Sequence, residues 1–179
     1  MIDFRSIVDA HCHQHELTLT LSNDMPPGYE TAFGTYVPET QTLHLNSSLL
    51  QGAPRPEALF YLYHELRHAE QYQHPERFSD ILRQSLPYVI LYNGSCFKQT
   101  TEGWRSCRFK GEDDYFTQAY LSLPYELDAN EYACQHLMAE DDCSSAAEHL
   151  RRMWLPAQPM SAEELHRLFQ RIDDALTPP

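Results

Sequence analysis

From Glu57 to His74 the chain carries neither proline nor glycine, and Pro54 and Pro56 stand just before this run. That combination predicts a helix of several turns, ended before Pro75. Its side chains from Glu57 to Gln73 sort into faces. Ala58, Leu62, Leu66 and Ala69 recur at i, i+4, i+8 and i+11 and make an apolar stripe for a core. Nearly opposite, Phe60, His64, His68 and Gln71 form a second stripe, with Tyr61 beside it. A helix side built of aromatics and imidazoles looks into a cleft rather than at solvent.

His64-Glu65-Leu66-Arg67-His68 is an H-E-x-x-H arrangement within that helix. Residues four apart lie about 40° apart around a helix and one turn along it, so both imidazoles can reach one metal ion, with Glu65 beside them. The motif is short enough to arise by chance, so its surroundings decide. A zinc site of this kind needs a third protein ligand and an open position for water. Glu70 and Gln71 are poor candidates, and His74 lies too far along the helix. The best candidate is Glu126, in Pro124-Tyr125-Glu126-Leu127-Asp128-Ala129-Asn130-Glu131-Tyr132-Ala133. Pro124 suits a helix start, and Glu126, Asn130, Ala133 and Leu137 share a face, while Glu131 points away. An acid on a buried stripe is costly unless paired or metal-bound. Another acid, or a histidine such as His136, stays open as the third ligand. Asn130, one turn after Glu126, can hydrogen-bond a ligand or simply satisfy a backbone carbonyl.

H-E-x-x-H followed on a later helix by E-x-x-A-N-x-(aromatic)-A resembles the gluzincin metallopeptidases, above all the small ImmA/IrrE-type proteins and minigluzincins. In outline the resemblance spans residues 29–138, and its specific part is the two helix motifs. It implies an α+β, zincin-like fold: a small mixed β-sheet, an HExxH helix, a glutamate helix and further C-terminal helices. It also implies Zn²⁺ held by His64, His68 and Glu126, Glu65 as general base, and Asn130 behind the ligands. The activity implied is that of a zinc-dependent metalloendopeptidase acting on a peptide or protein substrate. Between His68 and Glu126 stand 57 residues. That is longer than in compact members, so 75–123 reads as an insertion within a single domain, 1–179, that ends in C-terminal helices over 144–179. Two other readings stay open: a zincin-fold regulatory or protein-binding module that cleaves nothing, and a zinc amidohydrolase acting on a non-peptide amide.

A formal net charge of −13 argues against nucleic acid as a partner, because phosphate contacts need clustered Lys and Arg. At 42% hydrophobic residues the composition is that of a folded chain. No apolar run is long enough for a membrane span, and Met1-Ile2-Asp3-Phe4-Arg5 lacks the order of a signal peptide. Five cysteines, odd in number and without a C-x-x-C pair, fit a reducing, cytoplasmic setting, although leaderless export would leave no trace. Nothing here sets an oligomeric state.

Elsewhere, 4–16 reads as a short helix and Leu17–Leu21 as a half-buried strand. Within His11-Cys12-His13-Gln14-His15 three histidines could be read as a second metal site, but with no acid or cysteine partner at recognisable spacing they read better as polar and partly exposed. Tyr29–Val37 and Thr42–Asn46 read as strands joined by Pro38-Glu39-Thr40-Gln41. In zinc peptidases of the type this chain resembles, an exposed strand edge near the metal holds an extended peptide. Arg77–Leu86 looks helical, Pro87–Tyr92 a strand or second helical piece, and Ser95–Asp114 a long loop in which Cys96 and Cys107 could lie close together. Ala146–Met153 is a short helix, 156–159 a linker, and Ser161 caps a last amphipathic helix. Tyr115, Tyr120, Tyr125 and His136 are open candidates for stabilising an oxyanion.

Overall fold

The computed structural model describes residues 2–110, 113–140 and 142–177. In chain order the elements are α1 (Phe4–His15), β1 (Thr20–Ser22), β2 (Gly34–Val37), β3 (Thr42–Leu45), α2 (Ser47–Gly52), α3 (Arg55–Gln73), α4 (Asp80–Ser85), β4 (Tyr88–Ile90), β5 (Ser95–Thr100), β6 (Gly103–Arg108), α5 (Asp113–Ser122), α6 (Pro124–Met138), α7 (Ser144–Trp154) and α8 (Ala162–Leu176). The fold is α+β. Among the described residues, no helix is long and apolar enough to cross a membrane. The chain divides into two compact units, Met1–Phe78 with Asp128–Met153, and Ser79–Leu127 with Trp154–Pro179; the dividing point falls inside the continuous helix α6.

In the first unit three strands form a mixed sheet in the order β1-β3-β2, with β1 parallel and β2 antiparallel to β3. Helix α3 packs on β2 and β3. Its proline-rich entry costs little, since the first backbone N–H groups of a helix have no intrahelical partner. The predicted stripe of Ala58, Leu62, Leu66 and Ala69 is fully buried, as are Leu43 and Leu45 of β3. Phe60 and Gln71 on the opposite stripe are buried too, so α3 runs through the unit instead of lying on its surface.

The N-terminal strand is shorter and later than Leu17–Leu21. Glu16 adopts a left-handed conformation (φ 60°) that ends α1 and turns the Leu17 N–H onto the Cys12 carbonyl. The Gln73 side chain then takes the place of a strand partner: its Oε1 accepts from the Thr18 N–H at 2.9 Å and its Nε2 donates to the Thr18 carbonyl at 2.9 Å. The ladder therefore starts at Thr20. Likewise β2 starts at Gly34, because residues before it are held in turns, with Tyr29 N–H on Pro26 O and Ala32 N–H on Tyr29 O. The hairpin connection at 38–41 is as read, with Gln41 left-handed. Helix α2 was not anticipated; Asn46 caps it through the Leu49 N–H.

His11 departs from the partly exposed reading of the N-terminal histidines. It is 5% exposed, while His13 on the other side of α1 is exposed. Burial first, and then the nearby His15, His136 and Arg67, hold its imidazole down to about 3, so it is neutral at pH 7.

The second unit has its own sheet, antiparallel and ordered β4-β5-β6. Here the long-loop reading of Ser95–Asp114 is overturned. Residues 95–100 and 103–108 are a paired hairpin, with Gly103 at φ 108° after the turn, and Cys96 stands directly opposite Cys107 with both thiols free. Nearly all of β6 faces solvent, so the backbone ladder forms without the apolar alternation by which strands are recognised. The Arg77–Leu86 helix is shorter, at Asp80–Ser85, and α5 appears where no helix was assigned. Helix α8 carries a full capping box between Ser161 and Glu164 and buries Leu165, Leu168, Phe169 and Ile172.

Replacing Gln73 with Leu removes both bonds to Thr18 and should cost about 1–3 kcal/mol, read as a lower urea midpoint, with the amides of 20–22 exchanging first. An unchanged midpoint would show that the side-chain clamp contributes nothing.

Candidate metal centre

Helix α3 presents His64 and His68 one turn apart, and their Nε2 atoms face each other at 2.9 Å. Phe60, one turn earlier and 1% exposed, backs the His64 ring at 6.2 Å between centroids. Glu126 stands on the first turn of α6, 9% exposed and one turn before Asn130. Its place is set by the same helix that carries Asp128 and Asn130. His64, His68 and Glu126 each offer a ligand atom, all within 4.8 Å of one another. Two imidazoles and a carboxylate suit a borderline transition metal such as Zn²⁺ and do not suit Ca²⁺ or Mg²⁺.

His68 is oriented from behind. Its Nδ1 lies 2.9 Å from Gln71 Oε1, and Gln71 Nε2 donates to Asp128 Oδ2 at 2.8 Å. Ionised Asp128 can only accept, so the amide NH₂ must face it and the amide oxygen must face His68. That arrangement demands the proton on Nδ1 and leaves the Nε2 lone pair for a metal. Asp128 is in turn held by Arg67, through Nε at 2.7 Å and Nη2 at 3.1 Å, and Arg67 Nη1 reaches Glu70 Oε2 at 2.6 Å. This chain from Arg67 to His68 was not read from the sequence. The available signal was Gln71 itself, a polar residue on the histidine stripe. Asn130, the residue assigned to support the ligands, is 2% exposed, and the support seen behind His68 comes from Gln71.

Glu65, next to His64 in the chain, reaches the sheet: the Tyr36 N–H donates to its Oε2 at 2.9 Å. Gly34, two residues earlier on β2, makes room for it. A Cβ there would come 3.1 Å from Glu65 Cγ and 3.2 Å from the His44 carbonyl. Strand β2 is the outer strand of its sheet on this side. The Asn46 N–H bonds to Phe33 O, so the antiparallel alternation turns the backbone groups of Gly34 and Tyr36 away from β3.

Other candidates are engaged elsewhere. His136 stacks on Tyr63 at 4.4 Å and lies 4.4 Å from the Tyr132 ring; it does not join His64 and His68. The Tyr125 hydroxyl donates to the Tyr88 carbonyl at 2.9 Å, and Tyr115 lines a cavity of the second unit with Met160 and Arg167. Comparison with models of protein families, with curated proteins and with solved structures returned no match.

With no metal bound, nitrogen NMR should find His68 as the Nδ1–H tautomer, and Gln71→Leu should convert it to a mixture of both forms; an unchanged spectrum would remove the amide from the argument. Asp128→Asn leaves the Arg67 guanidinium, whose side chain is only 18% exposed, with Glu70 as its one remaining carboxylate, and should lower stability in urea by about 2 kcal/mol, less than for a fully buried pair.

Proposed function

We propose that this chain is a zinc-dependent metallopeptidase of the gluzincin type, hydrolysing peptide bonds with Glu65 as general base. The observation that carries this reading is the convergence of two facing imidazole nitrogens and a nearly buried carboxylate. When bound by His64, His68 and Glu126, Zn²⁺ would supply the Lewis acidity that polarises a scissile carbonyl and acidifies a water. The rest falls to the chain's own groups. Glu65, held at Oε2 by the Tyr36 N–H until a peptide along β2 takes that donor, then takes the proton of the attacking water and later delivers it to the leaving amine. Gln71 and Asp128 keep His68 in its ligating tautomer. The outward backbone groups of Gly34 and Tyr36 suit an extended peptide laid along β2.

A second reading has a specific observation behind it. The Glu65 carboxylate is already engaged by a strand edge, which fits a zincin-fold module that binds a partner there and cleaves nothing.

Incubation of the purified protein with a mixed peptide library, analysed by mass spectrometry, separates the two. Cleavage should disappear on chelation and return with Zn²⁺, and Glu65→Gln should lower the rate by about 10²–10⁴-fold at unchanged metal content. His64→Ala and Glu126→Ala should each remove one equivalent of zinc. A Glu65→Gln variant as fast as the parent would end the general-base assignment. Zinc binding without cleavage of any peptide would favour the binding module, and turnover of small amides alone would favour an amidohydrolase.

A further inference from the structure

The N-terminal histidines lack an acid partner in the sequence, but the fold supplies one from another helix. His11 and His15 stand one turn apart on α1, their rings stacked at 4.2 Å and 19°. Glu70, on α3 and 5% exposed, brings Oε1 to 3.3 Å from His15 Nδ1. Its other oxygen is taken by Arg67. The ligand atoms of His11, His15 and Glu70 all lie within 4.8 Å of one another. His11 Nε2 is buried and has no hydrogen-bond partner among the described residues. A buried imidazole nitrogen left this way gives up a hydrogen bond it would make in water, a loss that a bound cation would offset.

From this geometry we infer a second metal site, at which His11, His15 and Glu70 bind a divalent transition-metal cation. The donor set of two imidazoles and one carboxylate selects Zn²⁺, Co²⁺, Fe²⁺ or Ni²⁺ over Mg²⁺ and Ca²⁺. Around it Tyr132 closes one side, its hydroxyl 3.3 Å from His15 Nε2 and its ring edge-on to His11 at 5.9 Å. Tyr63 and His136 complete the wall, each 6.5 Å from His11 between ring centroids. This shell leaves His15 Nδ1 and His11 Nε2 as the nitrogens for the metal, while Tyr132 fixes the His15 ring. The Arg67 guanidinium on Glu70 opposes a further positive charge, so this site binds more weakly than one formed by His64, His68 and Glu126. The inference uses none of the residues of that first site and stands without the peptidase reading.

The test is Co²⁺ titration of the full chain, followed by the visible d–d absorption and by stoichiometry at equilibrium. The parent should bind two equivalents, the second at least tenfold more weakly. His15→Gln, or His11→Gln should the first prove unfolded by circular dichroism, should reduce this to one. The His64→Ala/His68→Ala variant should retain one equivalent and lose it when His15→Gln is added. One equivalent in the parent and none in the His64→Ala/His68→Ala variant would overturn the second site and leave the first. One equivalent in both would support the second site and remove the first. Two equivalents retained after both His15→Gln and His11→Gln would overturn the assignment of ligands.

Discussion

In the first unit one ion pair, Arg67 with Asp128, ties α3 to α6 through two hydrogen bonds and orients the groups behind both candidate ligand sets. The guanidinium lies against the Phe78 and Tyr132 rings, 4.6 Å from each centroid, and sends its third bond to Glu70. A planar fork between two aromatic rings is a geometry that lysine cannot reproduce. Because Asp128 is fixed, Gln71 has one productive orientation; because Gln71 is fixed, so is the His68 tautomer. Both candidate ligand sets therefore depend on Arg67, one through Asp128 and the other through Glu70. The charges are only partly screened, with Arg67 18% and Asp128 28% exposed, which gives the pair more weight than a surface salt bridge.

Periodicity carried the reading of α3 and α6 a long way. Side chains spaced at helical intervals share a face whatever surrounds them, so the fully buried stripe from Ala58 to Ala69 and the position of Glu126 one turn before Asn130 followed from spacing alone. Local chemistry also sufficed at the caps, as at Ser161 with Glu164. What local reasoning cannot reach is a partner distant in the chain. Gln71 with Asp128, Gln73 with Thr18 and Glu70 with His15 each join residues more than 50 positions apart, and no spacing rule announces them. The β5–β6 hairpin was missed for another reason: a ladder exposed to solvent is held by backbone bonds, which leave no mark in side-chain pattern.

Glu65 joins the two levels. It was legible as the acid of the motif, but its contact with β2 was not, since that contact is made to a backbone N–H and needs a residue without a side chain at Gly34. Under the peptidase reading the consequence is mechanical. An extended chain that pairs along the edge of β2 would compete with Glu65 for the Tyr36 N–H, and a hydrogen bond made to that donor would free the carboxylate for a proton. Occupation of the edge and readiness of the base would then be one event. On that reading a substrate that fills the edge would activate the site, and a small amide that does not reach β2 would leave Glu65 held. Discrimination of this kind arises from a single shared donor and needs no pocket for a side chain.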